Sequence, residues 1–175
     1  MPKTTGYAQA VEQDVHSTSE IARAKLGEKV QTADGRTYRY AKAGGSNLDA
    51  GKLCVAATPE ANHSNIAVAA DADVGDTQIT VTLGATAATA NQYAEGYVVI
   101  NDAAGEGIMY KIRDHLAADA SANLVLNLED PVQVALTTSS EASLEKNNYD
   151  SVVVSNTDQA DLPVGVPNVA VTSDY

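Results

Sequence analysis

The chain has 175 residues, a net charge of −12, neither Trp nor Phe, and one cysteine, Cys54. The single cysteine excludes an intramolecular disulfide and a cysteine-based zinc site, and the negative charge disfavours nucleic-acid binding. No run approaches the roughly 20 apolar residues of a membrane helix, and the N-terminus lacks the apolar run of a signal peptide, so neither a membrane contact nor export is expected.

Residues 1–26 are predicted to form an extended N-terminal arm with a short helix. Ser17 and Glu20 have the spacing of a capping box, and Gly27 is a typical helix stop. A helix of about two turns is too short to be stable alone, so we interpret it as a connector.

A β-hairpin is predicted within residues 27–58. Two runs of strand-forming residues, Lys29–Ala33 and Arg36–Lys42, flank the dipeptide Asp34-Gly35. Asp-Gly favours a two-residue type I′ turn, whose backbone twist matches that of the paired strands.

Residues 59–155 are predicted to form a body of short strands. In Thr77–Leu83, β-branched residues alternate with polar ones, which is typical of a half-buried strand. About nine short strands and no long helix indicate an all-β fold, either a small β-barrel or a β-sandwich. Residues 156–175 contain two of the five prolines and are predicted to be an extended tail. The other predicted strands are Lys52–Ala57, a short apolar run ending at Ala70, Tyr97–Asn101, Gly107–Arg113, Asn123–Glu129, Val132–Leu136 and Ser151–Ser155.

Two segments resemble ligand-binding loops but differ from them in detail. The carboxylates of residues 71–77 suggest calcium, but the loop has Gly75 in its fifth position and Thr82 in its twelfth. A calcium loop needs Gly in the sixth position and Glu in the twelfth. Residues 45–52 resemble a phosphate loop, but five residues separate the glycines and Leu53 replaces the hydroxyl residue. We interpret both segments as solvated turns.

Catalytic chemistry is not indicated. His16, His63 and His115 lie far apart, and no nucleophile turn of the type Gly-x-Ser-x-Gly is present. Glu129 and Asp130 are adjacent carboxylates, but glycosidases need two carboxylates that face each other across a cleft. We therefore predict no catalytic, cofactor-binding or metal-binding residue, and we expect the chain not to be an enzyme.

Three segments resemble small structural proteins of tailed bacteriophages, many from marine viruses. The first is GEKVQTADGRTYRYAKAGGSNLDAGKL, and the others are GATAATANQYAEGYVVINDAAGEGIMYKIRDH and NLVLNLEDPVQVALTTSSEASL. The resemblance covers roughly residues 27–144 and implies a decoration (cement) protein on the outer surface of the virion capsid. A protein of this kind would be similar to the lambda-type head decoration protein in its role and its all-β character.

The resemblance also implies partners. These are the major capsid protein and further copies of the same chain, since cement proteins are commonly homo-oligomers and often trimers. A core rich in Ala and Val agrees with this expectation, because small side chains bury little apolar area and stability is then gained from partners.

The charge distribution indicates which part contacts the shell. Residues 1–52 carry eight Lys/Arg and six Asp/Glu, whereas residues 53–175 carry three Lys/Arg and seventeen Asp/Glu. An ordinary solvated surface and half-buried sheet tyrosines are the alternative interpretation. The residues predicted to contact the shell are Tyr7, Ile21, Leu26, Arg36, Tyr38, Arg39, Tyr40 and Lys42.

Two other functions are open. A fibre-like module on the head or tail would bind host surface glycans. A hydrolase such as a capsule depolymerase is less well supported, because the chain lacks Trp and Phe for a sugar-stacking groove and lacks a nucleophile signature.

Overall fold

The computed structural model describes residues 8–9, 14–156 and 162–173, which form two compact units. The first unit combines the described residues up to Thr58 with those from Asn148 onward, and the second is Pro59–Asn147. Two one-turn 3-10 helices, Asp14–His16 and Ala61–His63, accompany the strands, so the prediction of an all-β fold is confirmed. The strands in the described part of the chain are β1 (Ala8–Gln9), β2 (Lys29–Gln31), β3 (Thr37–Arg39), β4 (Cys54–Val55), β5 (Ile66–Ala67), β6 (Gln78–Thr82), β7 (Tyr97–Asp102), β8 (Met109–His115), β9 (Asn123–Leu128), β10 (Glu141–Glu145), β11 (Val153–Val154) and β12 (Pro163–Gly165).

The second unit is a nearly closed β-barrel. Its six strands run antiparallel in the order β5-β10-β7-β8-β9-β6. The first and last strands of this order meet, because Val68 forms a bridge with Val81 and the Ala69 N–H donates to the Thr80 carbonyl at 2.7 Å. Of the two predicted architectures, the structure therefore adopts the barrel.

Alternation along each barrel strand builds the core. In β6, Ile79 and Val81 are buried while Gln78 is exposed, and β7, β8 and β9 follow the same period of two. Nineteen buried residues fill the interior. Close fits of backbone to backbone limit some positions: a Cβ at Gly96 would lie 2.2 Å from the Glu145 carbonyl oxygen.

The first unit contains two small sheets, with strand orders β1-β2-β3 and β11-β4-β12. Among the described residues, its buried hydrophobic cluster has four members, Ala43, Leu48, Cys54 and Val152. Cys54 is thus a small, buried core residue. Strands of two or three residues and a four-residue core make this unit much thinner than the barrel.

The helix predicted to begin at Ser17 does not form, so that part of the fold prediction is wrong. A 3-10 turn at Asp14–His16 precedes this segment, and no regular helix follows it up to Gly27. The segment instead bonds to the hairpin, since the Arg23 N–H donates to the Tyr40 hydroxyl at 3.1 Å. A tertiary contact replaces the capping box because two helical turns gain too little from local bonds.

The hairpin is present, but its turn differs from the predicted two-residue type I′ turn. Thr32 pairs with Arg36, so the loop has three residues, and only its last residue, Gly35, has a positive φ, of 91°. A three-residue loop that ends in a left-handed glycine is the next most common hairpin connection. Hydrogen bonds to the Asp34 side chain select this longer loop.

The barrel begins at Pro59, where the body was placed from the sequence, but ends at Asn147, not at 155. Residues 148–155 belong to the first unit, where β11 pairs with β4 and Val152 bridges Ala43. The tail segment 162–173 also contributes to this unit, because β12 pairs with the other edge of β4. Partner strands far away in the sequence decide these assignments.

One predicted body strand is wrong and another strand was not predicted. Val132–Leu136 forms no strand, although Leu136 makes a single bridge with Ala72. Residues 141–145, which lack alternation and carry carboxylates four residues apart, form β10 between β5 and β7. Hydrogen bonds from β5 and β7 form this strand, although its local sequence pattern does not predict one.

Candidate binding surface

The loop between β2 and β3 is held by the carboxylate of Asp34. It accepts hydrogen bonds from Thr32 Oγ1 at 2.5 Å and from Arg36 Nε at 2.6 Å. The bond from the Thr32 hydroxyl, followed by those from Arg36, lowers the pKa of Asp34 from 3.8 to about 2. Arg36 also donates from Nη1 to the Tyr38 hydroxyl at 3.1 Å, so the loop and β3 share one polar network.

Two further tyrosines of this unit contact arginine residues. The Arg39 guanidinium lies 5.5 Å from the centroid of the Tyr149 ring, and its Nη1 donates to the Gly27 carbonyl at 2.8 Å. Tyr40 is bound through its hydroxyl to the backbone N–H of Arg23. A guanidinium over a tyrosine ring is a favourable cation–π arrangement.

These residues line a cleft of about 590 Å³ in the first unit. One part of its lining is β3 with Tyr40, and the others come from residues 15–24 and residues 164–171. The core residues Leu48, Cys54 and Val152 also contribute. The cleft thus combines an apolar interior with tyrosine and arginine side chains. We call it the hairpin cleft.

The arginines of the hairpin cleft differ from the neighbouring cations in their charge partners. Arg36 forms an ion pair with Asp34 at 2.6 Å, and Lys42 lies 4.0 Å from a carboxylate oxygen of Asp150. Arg23 and Arg39 are exposed, and within the described ranges no carboxylate lies within 4.0 Å of either guanidinium. Two positive charges are therefore available to an external carboxylate.

Five of the eight residues predicted to contact the shell lie together. Tyr38, Arg39 and Tyr40 line the hairpin cleft, while Arg36 and Lys42 are exposed beside them on the hairpin. Their proximity follows from the sequence, because the residues occupy one short strand and its extension.

The other three are not brought into the cleft. Tyr7 lies outside the described residues. Ile21 is 78% exposed and Leu26 is half-buried, and neither lines the cleft.

Sequence reasoning missed several cleft residues, chiefly Tyr149 and the segment 164–169. Tyr149 could have been suspected, because the chain has only eight tyrosines and this one lies outside every predicted strand. The segment 164–169 carries no such signal, since it reaches the cleft only through the pairing of β12 with β4.

A buried polar network lies inside the barrel. The Tyr93 hydroxyl donates to His63 Nδ1, and His63 Nε2 donates to the Thr86 carbonyl at 2.9 Å. The Tyr93 N–H donates to His115 Nε2 at 3.0 Å, and His115 Nδ1 donates to the Leu116 carbonyl at 2.8 Å. Burial raises the pKa of Tyr93 to about 12.

This network has a structural role. His63, Tyr93 and His115 are 0%, 1% and 2% exposed, so no substrate reaches their polar atoms. Every ring nitrogen of the two histidines has a hydrogen-bond partner, as buried polar groups require.

Two of the carboxylates suggested for calcium accept hydrogen bonds from backbone N–H groups. Asp71 accepts from the Thr138 N–H at 3.0 Å, and Asp76 accepts from the Asp73 N–H at 2.8 Å. Among residues 8–9, 14–156 and 162–173, no group of three or more His, Cys, Asp or Glu is placed to hold a metal ion. In the same ranges, no helix has the length and apolar character needed to cross a bilayer.

Comparisons with protein-family models, curated proteins and solved structures find no match for this chain. The resemblance to phage head proteins therefore stays a prediction that rests on the sequence segments alone.

Proposed function

We propose that this chain is a decoration protein of a tailed-phage virion, which binds the outer surface of the capsid and bridges neighbouring major capsid protein subunits. The sequence resemblance suggests the role, and the hairpin cleft is the observation that carries a binding function. The protein acts by adhesion and makes or breaks no covalent bond.

The chemistry of the cleft suits a protein partner. Tyrosine and arginine are enriched at the energetic centres of protein interfaces, because they combine a large contact area with several hydrogen-bond donors. Tyr38, Tyr40 and Tyr149 supply that area here, and Arg23 and Arg39 supply charges that form no ion pair within 4.0 Å among the described residues. The matching surface on the capsid protein carries carboxylates.

The two units divide the work in this proposal. The first unit binds the shell. The barrel forms an acidic body that keeps particles apart, because residues 59–147 contain thirteen Asp/Glu and three Lys/Arg. Because many copies bind symmetry-related positions, each contact is modest while the shell as a whole is held firmly. Contacts between copies, as in a trimer, add to this effect.

The decisive experiment is imaging of purified particles together with a binding assay on undecorated heads. We expect the chain at regular positions on the outer shell, and we expect deletion of residues 1–26 to abolish incorporation while the barrel stays folded. Arg39→Ala is expected to reduce occupancy, and the matched control Arg113→Ala, an exposed arginine of the barrel, is expected to leave it unchanged.

Two results would overturn parts of the proposal. Absence of the chain from finished particles would end the decoration role. Full occupancy by the truncated chain would remove residues 1–26 from the shell contact.

One observation favours the second candidate, a module that binds host surface glycans. On the outer face of the barrel, Gln78 donates to the Asn127 side chain at 2.8 Å, and Asn127 donates to Asp114. Such a row of amide and carboxylate groups suits hydrogen bonding to sugar hydroxyls. Binding of the purified protein to a glycan array, lost in Asn127→Ala, would support this function over decoration.

A further inference from the structure

We propose that the outer edge of β3 accepts an extended, acidic segment of a partner protein as an added strand in the hairpin cleft. This inference deepens the proposed function, on which it rests for the partner's identity, by stating how the partner is gripped.

The hydrogen-bond pattern of the hairpin shows which backbone groups face outward. The Thr32 N–H donates to the Arg36 carbonyl and the Tyr40 N–H donates to the Glu28 carbonyl, both at 3.0 Å. In an antiparallel pair, bonded and non-bonded residue pairs alternate. The backbone N–H and C=O groups of Tyr38 therefore point toward β2, whereas those of Thr37 and Arg39 point away from β2.

The open edge continues past the end of β3. The Lys42 N–H donates to the Tyr149 carbonyl at 2.8 Å, so Lys42, like Tyr40, uses its backbone N–H within the first unit. By the same alternation, the backbone N–H and C=O groups of Ala41 point outward. Thr37, Arg39 and Ala41 are exposed, and in the part of the chain that the structure describes no hydrogen bond reaches their outward backbone groups. The edge is thus available from Thr37 to Ala41.

This edge is unusual in two respects. In the order β1-β2-β3, β2 is paired on both sides, and no described strand pairs with the outer side of β3. Natural proteins normally protect such an edge, because unpaired strand groups are a template for another strand. The same edge lies in the hairpin cleft, where Arg39 and Tyr40 also contribute side chains. A peptide that pairs with the edge would therefore contact these side chains as well.

The charges select the occupant. Two copies of this chain that paired edge to edge around a twofold axis would bring their Arg39 side chains close together, and like charges facing each other across strands are destabilising. Among the described residues, no carboxylate oxygen lies within 4.0 Å of the Arg23 or Arg39 side-chain nitrogens, and the one carboxylate of the described cleft lining, Glu28, accepts from the Lys25 N–H at 3.3 Å. An extended segment with Asp or Glu at alternate positions would satisfy both the edge and these charges, so the occupant is an acidic segment of a different protein.

The direct test uses a synthetic probe. An eight-residue peptide of alternating valine and glutamate, with blocked termini, is titrated into the full-length protein and followed by NMR. We expect saturable shifts of the Thr37, Arg39 and Ala41 amides and slower hydrogen exchange there. A control peptide with lysine in place of glutamate is expected to bind at least tenfold more weakly.

Proline variants test the backbone contribution. Thr37→Pro and Ala41→Pro each remove one outward N–H and leave the bonds to β2 in place, so each is expected to weaken probe binding at least tenfold. Thr37→Ala and Ala41→Ser keep the N–H and serve as matched controls. An unchanged thermal melting curve verifies that each variant folds, and two independent sites guard against the failure of one.

The outcomes separate this inference from the proposed function. Absence of saturable shifts at millimolar probe, equal binding of the lysine peptide, or shifts mapped away from the edge would overturn the inference. Pairing of β3 with a second copy, seen as a dimer in solution, would overturn it too. Failure of wild-type protein to bind heads would overturn the proposed function alone, since the probe titration needs no capsid.

Discussion

The two units of this protein are stabilised in different ways. The barrel has strands of five to seven residues in β6 to β10 around nineteen buried residues, whereas the first unit has strands of two or three residues around a core of four. A sheet needs strand number and an apolar face for stability, and the first unit has little of either. We expect its amides to exchange with solvent faster than those of the barrel.

The same contrast separates the barrel from the unit that contains the hairpin cleft. The barrel uses its backbone groups within a nearly closed sheet, while the first unit leaves the edge of β3 open and collects tyrosine and arginine in a cleft. A thin unit with free backbone groups is well suited to gain its stability from a partner. The comparison therefore predicts that binding stabilises the first unit far more than the barrel.

The largest expected effect is in the barrel core. Leu126 is completely buried in β9, so Leu126→Ala should lower the free energy of unfolding by about 3 kcal/mol. Leu48→Ala in the first unit should cost less, about 2 kcal/mol, because a small core collapses around the lost side chain. Urea unfolding followed by residue-specific hydrogen exchange measures both, and equal losses would contradict the contrast between the units.

Substitutions at two adjacent glycines test whether the first unit unfolds separately from the barrel. A Cβ at Gly44 would lie 2.9 Å from the Ser151 carbonyl oxygen, whereas a Cβ at Gly45 meets nothing within 4 Å. Gly44→Ala should therefore destabilise this unit by about 1–3 kcal/mol through overpacking. We expect faster exchange only for amides of the first unit. Gly45→Ala is the control and should be neutral; a barrel that loosens with Gly44→Ala would show that the units unfold as one.

Removal of one hydroxyl from the buried polar network is expected to reduce the stability of the barrel by a smaller amount. Tyr93→Phe removes the hydroxyl that donates to His63 Nδ1 and leaves this buried acceptor without its partner. We expect a loss of about 1–2 kcal/mol in the free energy of unfolding, measured by thermal melting. Tyr97→Phe, at a 38% exposed position of β7, should change it little. A similar loss for both variants would mean that the network adds no stability of its own.

The smallest effect concerns pH and the hairpin loop. The folded pKa of Asp34, about 2, is below its ordinary value of 3.8, so its contribution to stability is present above pH 4 and is lost as the pH falls toward 2. Titration of the Asp34 carboxyl carbon by NMR should give a midpoint near 2. Thr32→Ala removes the largest cause of the shift and should raise the midpoint. A midpoint in the ordinary range for wild type would show that the loop bonds do not persist in solution.

Local patterns predicted some elements well. The alternation of Thr77–Leu83 gives β6, because every second side chain must face the core of a two-faced sheet. The hairpin around Asp34-Gly35 was located correctly, but its loop length was not, since the choice of turn depends on the Thr32 and Arg36 contacts of the Asp34 side chain.

The hairpin cleft was predicted only in part, where its residues are neighbours in the sequence. Tyr38, Arg39 and Tyr40 share one strand and could be grouped from the sequence. Tyr149 was not grouped with them, because more than a hundred residues separate it from Arg39, whose guanidinium stacks on its ring. Ile21, which was predicted to contact the shell, does not line the cleft, and its side chain is exposed to solvent.

The strand-rich character of the chain and the acidic charge of residues 59–147 could be predicted from the sequence alone. Three features became visible in the folded chain alone: the sheet nearly closes between Val68 and Val81, Glu141–Glu145 is a strand, and residues 148–156 belong to the first unit. The physical reason is that a strand is completed by hydrogen bonds from its neighbours. The identity of those neighbours depends on contacts between residues far apart in the chain, which local periodicity does not encode.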